Sequence, residues 1–340
     1  MKTTAIRPIR LPMRAPDDLA GFAQILDGGT INAADIVGLW CKTRGNGLRN
    51  DFTKPWIDLL LRTMLAKRLG VDEAAVAEQV PILVSGGSEG PVSPHLVIWT
   101  KGQATGERGL LAGVSRIEVA PADHGTAKHR DATARQLADL MAASNWRADD
   151  IGLVIVRAPS NFEDPAADPA VRKQAALGVA QVVDGKDANF ASRAFVVARH
   201  DGPGQQIFVL ANGAGGDPAY AVSHAVLADP FDSPSVAGAL AKFGFAAAPQ
   251  LPPDQSKRLI AAISKGDAPA NGTIRGMPHA MNLDNDIAMH RHARAAYGAM
   301  IGSTIGHGAV LVSGGAEAQG PDDGGFASFV AQVKAEGSEA

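Results

Sequence analysis

Three stretches of the chain share one pattern of apolar and polar positions. In each stretch an apolar run ends in a cation, and a later apolar run ends in a small-residue turn. The cations are Lys42, Arg157 and Lys265, and the turns begin at or near Ser85, Gly213 and Ser313. Short apolar runs bounded by turn residues predict buried β-strands. Glycines after a strand let backbone N–H groups approach a ligand, because no Cβ intervenes.

Helical periodicity lies between the predicted strands. Apolar residues recur at helical spacing from Trp56 to Leu69, with Thr53 as candidate cap and Pro55 in the first turn. Residues 132–143 and 288–301 predict two more helices. Repeats of about a third of the chain are whole domains, since solenoid periods run roughly 20–50 residues. The pattern therefore predicts an α/β protein of three similar domains around a pseudo-threefold axis, with one shared site.

Domain boundaries follow from composition. A polar, glycine-rich segment covers residues 100–109, and a proline-rich segment covers residues 246–254. We expect a first domain at 1–104, a second at 105–248 and a third at 249–340. A chain of 340 residues is long enough for two or three such domains.

Composition narrows the class of protein. Of the residues, 46% are hydrophobic and 20% charged, and the formal net charge is −3, so no basic excess points to nucleic acid. The start of the chain lacks a signal-peptide segment and no apolar run is long enough to span a membrane, so we expect a cytoplasmic protein. The single cysteine, Cys41, excludes an intrachain disulfide. Its place in an apolar strand favours a buried residue over a nucleophile.

Several longer motifs resemble those of one known family. They are residues 42–47 (KTRGNG), 85–90 (SGGSEG), 275–277 (RGM), 292–295 (HARA), 306–308 (GHG) and 313–317 (SGGAE). In this order they are similar to the ring-opening amidohydrolase family of cyanuric acid hydrolase and barbiturase. The resemblance implies a three-domain "Toblerone" barrel, serine–lysine dyads that open a cyclic imide, and a homotetramer.

The resemblance also implies roles for individual residues. Lys42 with Ser85, and Lys265 with Ser313, fall on catalytic dyads; a serine needs such a base because its hydroxyl is a weak nucleophile. Backbone N–H groups of Gly86 or Gly314 are candidates to stabilise the developing oxyanion. Arg294 falls on a substrate-clamping position, Lys54 replaces the clamp of the first domain, and Arg172 supplies that of the second. His290 lies one helical turn before Arg294 and is a candidate specificity residue.

The middle domain departs from the family pattern. Its dyad lysine aligns with Arg157 and its dyad serine with Gly213 or a neighbour. Arginine stays protonated and glycine has no side chain, so this pair supplies neither base nor nucleophile. Arg157 is interpreted either as a grip for an anionic group or as a structural ion-pair partner. The chain is therefore a divergent member, and cyanuric acid is not expected to be its standard substrate.

A metal site is implied by resemblance alone. The family counterpart of the loop after Ser313 binds a calcium- or magnesium-type ion, and hard cations accept carbonyl oxygens. The corresponding residues here are Ala316, Gln319, Gly320, Pro321 and Gly324. The family's acidic ligand aligns with Asn271, whose amide oxygen is a weaker ligand. No organic cofactor is expected.

The resulting hypothesis is a hydrolase that cleaves a C–N bond in a cyclic imide, ureide or related N-heterocycle through Ser85 or Ser313. The alternatives are a same-fold enzyme with another reaction on an anionic ring, a catalytically silent ligand-binding paralogue, and a structural paralogue in a hetero-oligomer. The two retained dyads favour catalysis.

Overall fold

The computed structural model describes residues 2–47, 50–87, 89–161, 163–199 and 204–334. The first unit contains β1 (Lys2–Pro12), α1 (Ala20–Asp27), β2 (Ile36–Lys42), α2 (Thr53–Leu69), α3 (Glu73–Gln79), β3 (Ile82–Ser85) and β4 (His95–Lys101). The second contains β5 (Arg108–Glu118), α4 (Ala127–Ala143), β6 (Ile151–Pro159), α5 (Asp168–Val183), β7 (Ala194–Arg199) and β8 (Gly204–Ala214). The third contains β9 (Tyr220–Leu227), α6 (Ser233–Ala241), α7 (Pro253–Arg258), β10 (Leu259–Gly266), β11 (Thr273–Ile274), β12 (Met277–Pro278), α8 (Met289–Ile305), β13 (Leu311–Ser313) and β14 (Gly325–Gln332).

The same four-stranded topology occurs three times. The strand orders are β3-β2-β4-β1, β7-β6-β8-β5 and β13-β10-β14-β9, and in each the first pair is parallel and the next two are antiparallel. Antiparallel pairing of β1 with β5 joins the first two units into one eight-stranded sheet. The expectation of three similar α/β domains is thus confirmed. The sheet pairing starts the third unit at β9, ahead of the expected boundary at residue 249, because β9 pairs with β14.

Alternation along the strands produces one central core and three outer cores. Successive strand residues point to opposite faces of a sheet. One face of each unit's four strands contributes to the central core, which includes Trp40, Leu83, Ile155, Phe195, Phe208, Ile263, Leu311 and Phe326. The other faces are covered mainly by helices of their own unit. Side chains of the first unit join two of these outer cores, Ala5 in that of the second unit and Val92 in that of the third. The units therefore meet through apolar side chains around a common axis.

The predicted helices are present, with two differences in detail. Residues 132–143 lie within α4, and α8 begins one residue after the expected start and extends to Ile305. Helix α2 begins at Thr53, but Thr53 is not its cap: the preceding residue is Phe52, and the Asp51 carboxylate accepts the Thr53 N–H at 3.1 Å. Ile57, Leu61 and Leu65 form the buried stripe of α2, whereas Trp56 is exposed.

Cys41 is buried, as expected, and its thiol lies 3.6 Å from the Met13 sulfur. Burial raises the pKa of the Cys41 thiol to about 12, so the thiolate needed for nucleophilic attack is not formed near neutral pH. No helix in the described part of the chain is long and apolar enough to cross a membrane.

Candidate active site

Because side chains alternate between the two faces of a strand, the predicted dyads lie at one end of the central core. Lys42 lies two residues after Trp40, and Ser85 lies two residues after Leu83, so both continue the inward face of their strands. The same two-residue step leads from Ile263 to Lys265 and from Leu311 to Ser313. The parallel register pairs Lys42 with Ser85 and Lys265 with Ser313.

The second unit places a different residue at the serine position. Strand β6 is parallel to β7, and its register pairs Arg157 with Val197. Val197 lies two residues after the inward-facing Phe195. The alignment of the dyad serine with Gly213 is therefore wrong, since Gly213 is in β8 and alternates outward, where a Cβ would meet Leu111 and Trp146. The glycine-rich sequence around residue 213 is similar to the other two turns, but it lies at the end of β8 and not at the end of β7.

Lys42 is enclosed completely and contacts the serine. Its amine lies 3.2 Å from Ser85 Oγ and donates to the Gly86 and Val312 carbonyls at 3.0 and 2.9 Å. Burial, reinforced by the positive charge of Arg294, lowers the pKa of Lys42 to about 7. A substantial fraction of this amine is therefore neutral near physiological pH.

Lys265 is equally enclosed but is oriented differently. Its amine donates to the Val196 carbonyl at 2.6 Å and to the Gly315 carbonyl at 2.9 Å. Burial and the charge of Arg172 lower the pKa of Lys265 to about 7 as well. Among the described contacts no hydrogen bond joins Lys265 to Ser313, whose hydroxyl donates to the Gly314 carbonyl at 3.3 Å. The structure therefore assembles the first dyad more completely than the third.

The lysine contacts run from unit to unit. The first unit's Lys42 donates to Val312 of the third unit, and the third unit's Lys265 donates to Val196 of the second. Each acceptor is the residue just before the serine position of its strand. These contacts bring Ser85, Ser313 and Val197, which hold matching positions of three strands, around one centre.

Arg157 occupies the corresponding cation position of the second unit. Its guanidinium donates to Gln206 Oε1 on the neighbouring strand at 3.1 Å. It also lines a small cavity, about 10 Å³ in volume, with Leu83 of the first unit. These contacts, with a neutral amide and an apolar cavity wall, test neither interpretation of Arg157, and both stay predictions.

Two arginines predicted as substrate clamps bind carboxylates of a neighbouring unit. Arg294 of α8 donates to Glu89 Oε1 at 2.6 Å, and Arg172 of α5 donates to both oxygens of Glu317 at 2.7 and 2.6 Å. Glu89 and Glu317 each lie four residues after a dyad serine. Both glutamates are part of the sequence motifs, and their identical distance from the dyad serines was the signal for their shared role as arginine partners.

Two aspartates shape the glycine turns. Asp51, which is buried, accepts the Gly47 N–H at 2.7 Å and lies where a Cβ of Gly86 would clash with its carboxylate. Asp267 accepts the Gly315 N–H at 2.8 Å and the Ala316 N–H at 2.5 Å. The Asp51 carboxylate therefore leaves no room for a side chain at position 86.

Two other predicted residues lie near these turns. His290 packs against Gly314, because a Cβ there would lie 2.6 Å from the His290 Cβ, and burial lowers the His290 pKa. Lys54 is half-buried in the first turn of α2, beyond Asp51.

The predicted metal ligands take part in hydrogen bonds within the protein. Gln319 is fully buried, and its side chain accepts the Val196 N–H at 2.6 Å and donates to the Gly315 carbonyl at 3.2 Å. Asn271 Oδ1 already accepts two hydrogen bonds from Thr273. The Ala316 carbonyl accepts the Gln319 N–H, the Pro321 carbonyl accepts the Gly324 N–H, and Gly320 packs against Gly325. No cluster of three His, Cys, Asp or Glu side chains suited to a metal occurs in the described ranges. Each of these carbonyl oxygens keeps a second lone pair, so the metal site stays a prediction.

Comparisons with known proteins agree with this geometry. A sequence model of the family described as amidohydrolase ring-opening protein matches residues 8–182 and 175–332. A cyanuric acid amidohydrolase of Ectopseudomonas oleovorans (strain CECT 5344) is 32% identical over 96% of this chain and 98% of its own length. A cyclic amide hydrolase of Azorhizobium caulinodans is 30% identical over 91% of this chain and 94% of its own. Two solved structures of cyanuric acid hydrolases, one from A. caulinodans, superpose with TM-scores of 0.86 and 0.84 at 27% identity, covering 98% and 97% of this chain and 100% and 99% of theirs.

The repeated units and the lysine–serine centre define an α/β enzyme of the amidohydrolase type. The chain belongs to the ring-opening amidohydrolase family, and the expectation drawn from its motifs is confirmed.

Proposed function

We propose that this protein hydrolyses a C–N bond of a cyclic imide or ureide, with Ser85 as nucleophile and Lys42 as its base. The observation that supports this most is the hydrogen-bonding environment of the Lys42 amine. A neutral amine has two N–H donors and one lone pair. The Gly86 and Val312 carbonyls can only accept, so they take the two N–H groups. The lone pair is then available to the Ser85 hydroxyl, 3.2 Å away.

The proposed reaction follows from this arrangement. Ser85 Oγ attacks a ring carbonyl as its proton passes to Lys42 Nζ, and the C–O bond forms. The C–N bond then breaks, and the ring nitrogen leaves with the proton from Lys42. Water attacks the resulting ester and gives one proton to Lys42. The ester C–O bond to Ser85 then breaks, the opened acid leaves, and Lys42 returns the proton to Ser85 Oγ. The reaction needs neither a cofactor nor an oxidant, and it consumes one water.

The third-unit dyad has a different proposed role. Ser313 and Gly314 lie at the same centre, but the Lys265 amine is directed to two carbonyls of the second and third units. We therefore assign Ser313 to holding a second edge of the ring. The alternative of a silent binding protein is disfavoured, because a buried lysine that contacts a serine and is partly neutral near pH 7 has no advantage for binding alone.

The assembly proposed from the resemblance is a homo-oligomer, with a tetramer expected. Phe52, just before α2, and Trp56 and Leu59 on α2 form an exposed apolar face, with relative exposures of 79%, 57% and 58%. Apolar surface of this kind is commonly buried in a protein interface, and a second copy of this chain is the occupant proposed here. A mass larger than the monomer in light scattering supports this, and a monomer would contradict it.

A substrate screen tests the proposed function. Cyclic imides and ureides are incubated with the protein in ¹⁸O-labelled water, and the masses of the products are measured by mass spectrometry. We expect at least one ring to gain one labelled water. A product of unchanged mass, as in proton transfer or isomerisation, or no conversion of any ring, would count against the hydrolase.

A further inference from the structure

The second-unit side of the site differs in chemistry from the other two sides. Ser85 and Ser313 end the inward faces of β3 and β13, and Val197 holds the matching position of β7. Two sides thus offer hydroxyl groups, and the third offers two methyl groups. This asymmetry bears on the shape and polarity of the substrate proposed above.

Three observations place the Val197 side chain at the shared centre. It alternates with Phe195 of the central core, so it points inward. The carbonyl just before it accepts the Lys265 amine at 2.6 Å, as the carbonyl before Ser313 accepts Lys42 at 2.9 Å. Val197 is also half-exposed, whereas the three preceding residues of β7 are buried, so it borders open space.

The backbone after Val197 differs as well. Gly87 and Gly315 follow the two serines in the left-handed region, with φ of +75° and +71°. The matching residue of the second unit, Arg199, still belongs to strand β7 and pairs with Pro159. The glycine turn that exposes backbone N–H groups on the other two sides is therefore missing at this position.

A polar ring edge is poorly matched to this side. A carbonyl or N–H that loses water against valine methyl groups, without a new partner, carries an energetic penalty. An aliphatic carbon has no hydrogen bond to water to lose there, and it gains van der Waals contact with the valine methyl groups. The substrate edge that faces the second unit should therefore be apolar.

We propose that Val197 is a specificity-determining residue, and that the ring which this enzyme opens carries an aliphatic carbon on the edge facing the second unit. This inference rests on the proposed function for the identity of the ring class. It separates this chain from relatives named for cyanuric acid, whose ring has three identical polar edges.

Two probes differ at that edge. In 5,5-dimethylbarbituric acid a dimethyl carbon replaces one N–H of cyanuric acid, and the rest of the ring is the same. We expect the protein to bind the dimethyl ring at least about tenfold more tightly at a pH where both rings are neutral, since one or two methyl groups in an apolar pocket discriminate by about 10–200-fold. Binding is measured by calorimetry with the Ser85→Ala protein, so that no turnover interferes, and turnover is measured separately with the unmodified protein.

Val197→Thr is the decisive variant because threonine has the shape of valine with a hydroxyl in place of one methyl group. The preference for the dimethyl ring should fall by about tenfold or more. Val71→Thr, at an exposed valine beyond α2, is the matched control and should leave the preference unchanged.

The outcomes separate this inference from the proposed function. A dimethyl preference that depends on Val197, without turnover of either ring, supports the inference and counts against the function. Turnover with equal affinities, with a preference for cyanuric acid, or with a preference that Val197→Thr leaves unchanged, overturns the inference and leaves the function standing. Failure of both rings to bind overturns the inference.

Discussion

At the residue scale, burial gives Lys42 its proposed chemistry. A charged amine without water is disfavoured, and the nearby Arg294 guanidinium adds repulsion, so the pKa of Lys42 falls from 10.5 to about 7. The buried amine keeps its hydrogen bonds because two carbonyls accept its N–H groups. A general base works best when its pKa lies near the operating pH, which is the case here.

The activity should therefore rise with pH. Below about pH 7 Lys42 is mostly protonated and cannot accept the Ser85 proton, whereas above it the amine is neutral. We expect kcat/KM on an accepted ring to increase through about pH 7 and to level off above. The pH profile of kcat/KM, with the ring's own ionisation subtracted, checks this. A profile that falls across the same range would contradict Lys42 as base.

At the scale of elements, ion pairs connect a helix of one unit to the turn of another. The Arg294 and Glu89 side chains are 4% and 11% exposed, so the pair is almost completely shielded from solvent. The Arg172–Glu317 pair is more open, at 18% and 27%. Each pair links the glutamate four residues after a dyad serine to an arginine of a neighbouring unit. The pair therefore holds the turn that follows the serine in place.

Glu89→Gln should destabilise the protein, because it leaves the buried Arg294 charge without its counter-charge. Breaking a buried pair costs about 3–5 kcal/mol. Asp35→Asn is the control: its pair with Lys101 is 42% and 54% exposed, and removing such a pair changes stability by at most about 1 kcal/mol. Denaturant unfolding of both variants checks the difference. Equal effects would show that the Glu89 pair has no special role.

The sequence predicted the elements better than their register. Local periodicity indicated α2, α4, α8 and the strands that contain Lys42 and Lys265, because each depends on neighbouring residues. The position of Val197 depends on which strand lies parallel to β6, and no local pattern contains that information. Similarly, the Gln319 side chain accepts the N–H of Val196, 123 residues away along the chain, and no local pattern contains that contact.

At the scale of the whole molecule, the central core makes the three units interdependent. Trp40, Trp99, Phe208 and Phe326 pack in one cluster although they come from three units. Each unit also has an outer core of its own beneath its helices. A unit separated from the others would keep its outer core and expose the inner face of its sheet.

Residues 1–104 alone are therefore not expected to form a stable domain. Exposing Trp40, Leu83 and Trp99 loses about 1.5–3 kcal/mol for each large side chain, which is a large fraction of the stability of a small domain. Calorimetry of the isolated fragment should show no sharp unfolding transition, in contrast to the full chain. A cooperative transition in the fragment would contradict the dependence on the shared core.

The rate of ring opening by Ser85→Ala, compared with Ser313→Ala, is the most direct test of the central claim. The substrate is the most rapidly opened ring of the screen. The account predicts that Ser85→Ala lowers kcat by at least about a hundredfold with little change in ring affinity, since it removes the nucleophile, and that Ser313→Ala acts mainly on affinity. A Ser85→Ala protein that retains full activity would contradict the account, as would a larger loss of kcat in Ser313→Ala.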